Sequence, residues 1–453
     1  MVAIAALAFA VRAVVAAWGA SRFGAVEDGR YYHELATRLA AGAGYTWQWP
    51  DGVVTYAAHY PVGYPAILSV AYRVFGARPS VAMGLNTLLG VAGVVALATV
   101  VRAGYGRRAG LCAGAVLALH PALALYTPAV MTEGVTASLL AVAVYAAHSV
   151  RLAGSRRRAF FLASLALGVV LGLATLVRPQ SLLVAPVLGY FALRGGRGAP
   201  WWRAMGRRLL AALCVTAVSV AVVAPWTARN CVRMKSCALV SVNGGWNLLI
   251  GIAKESRGHW TPIEVPRQCK TVWDEAGKDA CFGDEAKRQI LAEPGRFLSL
   301  VPRKLAATFD YCGAAPWYLH AASGAAFGPD AKLRAGALET IFIRLTLLGA
   351  LLFAAAVRGR WRWLQWGVCA CAVPFLLQVH ASVAFVALLG LLWLRRPSRA
   401  NLAVGGAVAV LGTTLLVHAV FFGAGRYSLV TLPFVAALAA AALTGVSRAR
   451  DTL

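Results

Sequence analysis

Apolar residues in this chain gather into runs of roughly 20, the length at which an α-helix crosses the hydrocarbon core of a bilayer, and short basic stretches separate the runs. Twelve runs are predicted as membrane helices: Val2 to Ala20, Ser80 to Val101, Ala109 to Tyr126, Ala129 to Val150, Ala159 to Val177, Ser181 to Leu193, Leu209 to Trp226, Leu338 to Val357, Leu364 to Val379, Ala381 to Leu394, Leu402 to Phe422 and Leu429 to Val446. The runs flanking Arg178-Pro179-Gln180 and those flanking His380 are short, so each pair reads either as one broken helix or as two short crossings. Between the first two runs the pattern changes. Tyr32, Leu35, Ala36 and Leu39 recur at helical spacing, Glu34 and Arg38 are placed to pair at i, i+4, and Gly42 can stop the helix. This predicts an amphipathic helix on the membrane surface, with Asp28 at its start, where an anion suits the exposed amides. Downstream, His59-Tyr60-Pro61-Val62-Gly63-Tyr64-Pro65 is read as non-helical, leading to a second interfacial apolar stretch from Ile67 to Phe75.

With 60 % hydrophobic and 13 % charged residues, the composition excludes a soluble globule. The net charge of +27 would suggest a nucleic-acid partner in a soluble protein; here it sits in loops and reads as topology, with no nucleic acid implied. Lys and Arg mark short cytoplasmic loops. Arg102/Arg107/Arg108, Arg151 with Arg156 to Arg158, Arg194 to Arg208, Arg358/Arg360/Arg362, Arg395/Arg396/Arg399 and Arg448/Arg450 all fall inside if both short pairs count as two crossings. Both termini are then cytoplasmic, and the first segment stays as an anchor. The acids agree: Glu27, Asp28, Glu34 and Asp51 lie in the first loop, Glu133 is the one acid between Asp51 and Glu255, and most others fall between Glu255 and Glu339. The expected organisation is an all-α polytopic protein of about 12 crossings (11–13), with a catalytic membrane module over 1–226 that includes an outer loop at 21–79. An outer module over 227–337 and C-terminal membrane helices over 338–453 complete it.

Of the nine cysteines, Cys112, Cys214, Cys369 and Cys371 lie in spans, while Cys231, Cys237, Cys269, Cys281 and Cys312 lie in the outer module, where disulfides persist. Local pairing would join Cys231 to Cys237 and Cys269 to Cys281 and leave Cys312 free, although spacing alone does not fix the connectivity. No His/Asp spacing requires a metal, and a divalent ion stays open.

Asp28, with Glu27 beside it, has the position of a general base for a hydroxyl acceptor at the membrane boundary; a plain helix cap is the alternative. Glu133 sits at the outer entrance of a span, where an acid is costly and commonly functional, although it also suits a helix N-terminus. Arg178, Arg229 and Arg426 are the few outer arginines near spans, suited to a phosphate leaving group or to ordinary interfacial anchoring. The turn from Ser241 to Gly251 carries Asn243 and Trp246, able to present amides or stack on a sugar ring. Arg12 and His120 read as local polar contacts within spans.

The ordered set resembles the GT-C superfamily of polyprenol-dependent glycosyltransferases, in the branch of protein O-mannosyltransferases and lipid A aminoarabinose transferases called glycosyltransferase family 39. It comprises Asp28-Gly29-Arg30-Tyr31-Tyr32, Tyr60-Pro61-Val62-Gly63-Tyr64-Pro65, Thr132-Glu133, Arg178-Pro179, Pro225-Trp226-Thr227-Ala228-Arg229-Asn230, Asn243-Gly244-Gly245 and Arg426-Tyr427. The resemblance implies the GT-C fold and a bacterial inner-membrane enzyme with a periplasmic site. It also implies inverting transfer of one sugar from an undecaprenyl-phosphate-type donor to a glycan, lipid or protein acceptor. Asp28 would be the catalytic base, with Arg30, Arg178, Arg229 and Arg426 on the donor phosphate and Glu27, His59, Tyr60, Glu133, Asn243, Trp246 and Tyr427 around the substrates. Many relatives carry an acid directly after this aspartate, where Gly29 stands here, and aminoarabinose transferases carry a lysine where Tyr60 stands beside His59. A secondary transporter or a lipid-polysaccharide ligase are the rival classes; the first would place its polar residues nearer midplane, and no repeat of the two halves supports it.

Overall fold

The computed structural model describes residues 1–154, 156–193, 200–356, 361–377, 380–395 and 400–444. The helices are α1 (Val2–Gly19), α2 (Asp28–Ala40), α3 (Gly63–Phe75), α4 (Pro79–Tyr105), α5 (Arg107–Leu119), α6 (Pro121–Leu125), α7 (Thr132–Ala153), α8 (Arg157–Val177), α9 (Val184–Ala192) and α10 (Trp201–Arg233). They continue with α11 (Gly244–Ile250), α12 (Glu275–Ala292), α13 (Pro294–Phe309), α14 (Ala314–Ala322), α15 (Pro329–Ala355), α16 (Arg362–Ala372), α17 (Pro374–Leu377), α18 (Ala381–Leu394), α19 (Leu402–Val420) and α20 (Leu432–Leu443). One antiparallel hairpin, β1 (Thr46–Gln48) and β2 (Val54–Tyr56), interrupts this all-α architecture.

Every apolar run carries helix. Seven helices, α1, α4, α7, α8, α10, α15 and α19, are long and apolar enough to cross a bilayer, and shorter apolar helices occupy the remaining runs. Both short pairs are broken: Arg178 sits in extended backbone (φ −142°) after α8, and His380, at φ −133° and ψ 41°, is non-helical just before α18. A third break, at His120-Pro121, separates α5 from α6 because proline offers no amide to the preceding turn. The carbonyls of Leu117 and Ala118 freed there accept from the buried Arg12 guanidinium, 3.4 Å away in each case, so Arg12 is a packing contact that repairs the break.

Packing uses small residues, as in other helical bundles that lack water between helices. Ser219 of α10 donates to the Gly168 carbonyl of α8 at 3.0 Å. The helices alternate in direction, so the described arginines of the predicted inner runs gather at one end, where Arg151 donates to the carbonyls of Phe191 and Ala400. The first loop, the 126–131 segment, Arg178, α11 to α14 and the 421–431 segment meet at the other. The remaining arginines of those runs, at 194, 197, 358, 360, 396, 399, 448 and 450, lie outside the described residues.

At that second end α2 packs on α3, burying Gly29, Tyr32, Leu35 and Ala36, which is the predicted face, and it stops before Gly42 at φ 79°. Two expectations for this loop change, and a hairpin is added to it. Arg38 does not pair with Glu34: its guanidinium donates to Thr46 and Gln48 of the hairpin at 2.9 Å each, two partners that the helical spacing does not contain. The hairpin itself is three residues per strand, too short to show alternation. The stretch read as non-helical turns into α3 at Gly63, since Pro65 in the first helical turn has no amide bond to lose.

The 234–328 segment is a small helical module with its own core, built on Leu249, Ile252, Cys269, Phe282, Ala286 and Leu300. The disulfides Cys231–Cys237 and Cys269–Cys281 are formed and Cys312 is free and buried, as local pairing expected.

Candidate active site

The N-terminus of α2 is held in an unusual way. Glu27 takes φ 52°, a costly conformation for a residue with a side chain, and this sets Asp28 as the first helical residue. Gly29 then presses on the 126–131 segment: a Cβ there would lie 2.8 Å from the Val130 carbonyl oxygen and 3.2 Å from the Tyr318 hydroxyl. That close approach explains why an acid cannot follow the aspartate in this chain. Asp28 does not cap its helix. Its Oδ1 accepts from the Tyr60 hydroxyl at 3.2 Å and its Oδ2 lies 2.6 Å from Nη2 of Arg426. Burial, followed by the Asp28 charge, pushes the Tyr60 hydroxyl well above the usual phenol range, so Tyr60 stays a donor to this carboxylate.

Behind Asp28 the charge continues inward. Arg426, in the 425–430 turn, also places Nε 3.5 Å from Oε1 of Glu133. Glu133, in the first turn of α7, accepts from Tyr126 at 2.9 Å and pairs with Arg178 at 2.9 Å. Tyr427 lies beneath both cations, its ring centroid 4.9 Å from the Arg178 guanidinium and 5.2 Å from that of Arg426, and stacks on His418 at 4.5 Å. Two carboxylates and two guanidiniums thus form one connected, charge-balanced cluster. Its members differ in access: the Glu133 side chain is 2 % exposed, whereas Asp28 retains 32 % and Arg426 25 %. Asp28 is open to water, while Glu133 is sealed in the protein.

A second layer comes from the module. Oε2 of Glu275, on α12, accepts from the backbone amides of Ala58 and His59 at 2.6 and 2.9 Å, clasping the loop that carries Tyr60. Burial raises the Glu275 carboxyl, and the two amides and Arg229 oppose it. The His59 ring stands edge-on to Tyr60 and to Trp246, at 5.0 and 5.7 Å; burial lowers its pKa and Asp28 opposes this. Trp246 packs on Phe282 at 4.7 Å and its amide donates to Asp279. Asn243 precedes α11 and accepts from Ser241 at 3.0 Å, so its amide closes the turn.

Three of the residues expected at the site are not members of the charged cluster. The Arg229 guanidinium donates to the carbonyls of Tyr45 and Ala57, at 2.8 and 2.9 Å, and stacks on Trp226 at 4.6 Å; it fastens the first loop to α10 and is not aimed at the charged cluster. Arg30 is exposed on α2, and Glu27 is exposed with its backbone setting the helix start. Sequence reading missed Tyr126, Glu275 and Asp279. The contact from Glu275 spans 217 residues, and no local spacing encodes it. Among the described residues no three His, Cys, Asp or Glu side chains gather as a metal would need.

Residues 59–226 match the family described as dolichyl-phosphate-mannose-protein mannosyltransferase. The match covers 168 of the 453 residues, and the matched family is of the kind that the sequence resembles. It takes in Tyr60, Glu133 and Arg178 and leaves Asp28 and Arg426 outside. None of the curated proteins matches the chain. Similar solved structures include an Archaeoglobus fulgidus oligosaccharyltransferase tethered with an acceptor peptide, at 12 % identity and TM-score 0.46, covering 97 % of this chain and 49 % of that one. The A. fulgidus oligosaccharyltransferase AglB in complex with an inhibitory peptide and a dolichol-phosphate matches at 15 % and 0.44, covering 97 % and 50 %. ArnT from Cupriavidus metallidurans bound to undecaprenyl phosphate matches at 16 % and 0.42, covering 98 % and 77 %. The chain spans about half the length of the archaeal enzymes.

Proposed function

We propose that this chain is a glycosyltransferase that moves one sugar from a polyprenyl-phosphate donor to an acceptor at the outer face of a bacterial inner membrane, with inversion at the anomeric carbon. The observation that carries the reading is the state of Asp28: a carboxylate at the mouth of an apolar bundle, one-third exposed, not used as a helix cap, and paired with the Arg426 guanidinium. The description of the matched family, with its polyprenyl-phosphate sugar, supports the donor class.

Arg426 is shared between Asp28 and Glu133. A donor phosphate entering from the lipid side competes with Asp28 for this cation, with Arg178 behind it, so the donor neutralises its own charge and loosens Asp28 for the acceptor. The acceptor hydroxyl gives its proton to Asp28 as its oxygen attacks the anomeric carbon. The bond from that carbon to the phosphate oxygen breaks, and polyprenyl phosphate leaves against the guanidiniums. Tyr60 holds Oδ1 meanwhile, which leaves Oδ2 to take the proton. The acceptor is a glycan, a lipid or a protein.

The test is donor use by the purified full chain. Short-chain polyprenyl-phosphate sugars should be consumed with release of polyprenyl phosphate, and a nuclear magnetic resonance spectrum of the product should show the opposite anomer. Consumption of nucleotide sugars instead, or a retained anomer, would overturn the reading.

A further inference from the structure

The module carries an open cavity of about 510 Å³ that the charged cluster does not include, between the 254–257 turn and α13. Its wall supplies four cations, Lys254, Arg257, Arg296 and Arg303, two hydroxyls, Ser256 and Ser299, and a single carboxylate, Glu255. Arg296 is committed to the fold, donating to the carbonyls of Ile252, Ala253 and Lys254, and this fixes the turn that presents the others. Lys254, Arg257 and Arg303 are exposed, and no hydrogen bond or ion pair engages their side chains among the described residues. Four cations against the one carboxylate leave the wall net positive, a repulsion that an arriving anion reduces.

The turn is also tied to the charged cluster. Gly258, at φ 96°, lies against the Arg303–Lys304 backbone, where a Cβ would come within 2.8 Å. Its carbonyl accepts from the Gly423 amide at 2.8 Å, three residues before Arg426.

We propose that this cavity is a second anion site, binding a phosphate group separately from the Asp28–Arg426 cluster. As the docking point for a phosphate on the acceptor, it rests on the transfer reading above; as a phosphate site, it stands without it. Guanidiniums and a lysine around two hydroxyls match a phosphate, with its several acceptor oxygens, better than a single carboxylate. The phosphate comes either from a soluble acceptor or from a lipid headgroup, since α13 also turns the exposed Leu298 outward.

The test uses the full chain in detergent, titrated with inorganic phosphate and followed by thermal unfolding. A parallel arm compares nanodiscs of phosphatidylcholine with and without phosphatidylglycerol. Arg257→Gln with Arg303→Gln changes only exposed side chains, and Arg296 is left intact. Each cation lost from a charge-assisted contact corresponds to roughly tenfold or more in affinity. The expected result is phosphate binding weakened at least about tenfold in the double variant and retained in Arg426→Gln, which removes the donor-side cation. Loss of the phosphatidylglycerol response alone in the double variant would assign the site to a headgroup phosphate. Equal responses of wild type and double variant to both probes would overturn the proposal, whatever the transfer assay shows.

Discussion

Glu133 is the residue on which the charged cluster depends for its own stability. It is sealed from water and counters Arg178, itself buried, so Glu133→Gln strands a cation in the interior. Breaking a buried pair by removing one partner costs about 3–5 kcal/mol, and the expected outcome is a marked fall in the thermal unfolding temperature in detergent; an unchanged midpoint would mean that the pair is hydrated. His59 gives a pH signature. Its pKa is lowered from 6.5 in the folded chain by burial, so above about 6.5 both states are neutral there and it contributes no pH dependence. As pH falls below that value the unfolded chain takes up a proton that the folded one resists, and stability drops until the folded pKa is reached. His59→Gln should flatten this part of a melting-temperature profile against pH. Asp28, Glu133, Arg178 and Arg426 were all legible as chemistry in the sequence, because ionised groups are sparse in so apolar a chain. Their mutual pairing was not, since Asp28 and Arg426 are 398 residues apart.

Among the elements, α2 and the long apolar helices were readable from periodicity and run length, which local burial imposes directly. The hairpin, α3's true start and the helices α12 to α14 were not, because their sequences are short or mixed and their burial depends on the module's own small core. The clasp between α12 and the first loop belongs to this second group. Glu275→Ala removes a charged acceptor from two amides, each such bond being worth about 1.5–3 kcal/mol. Hydrogen exchange at Ala58 and His59 should therefore quicken by roughly tenfold or more, with the membrane helices unaffected. Unchanged exchange at these amides would show that the loop holds its shape without the module.

At the scale of the whole molecule, twelve apolar runs were legible as helices, and their alternation separates an arginine-rich end from the end holding the cluster. Under the proposed orientation, which follows the positive-inside rule, the module lies outside. A cysteine in place of Trp273, which is 87 % exposed, should react with a membrane-impermeant maleimide while the inner membrane is intact; reaction only after its disruption would reverse the orientation. The central claim is that convergence of four distant segments makes Asp28 a base. Asn keeps the size of Asp and its capping ability but cannot take the acceptor proton, and loss of a general base costs roughly 10²- to 10⁴-fold in rate. The decisive measurement is sugar transfer from a short-chain polyprenyl-phosphate donor by Asp28→Asn, with thermal unfolding as the folding control. The account predicts a folded variant whose turnover has fallen by that factor; a folded variant turning over at the wild-type rate would contradict it.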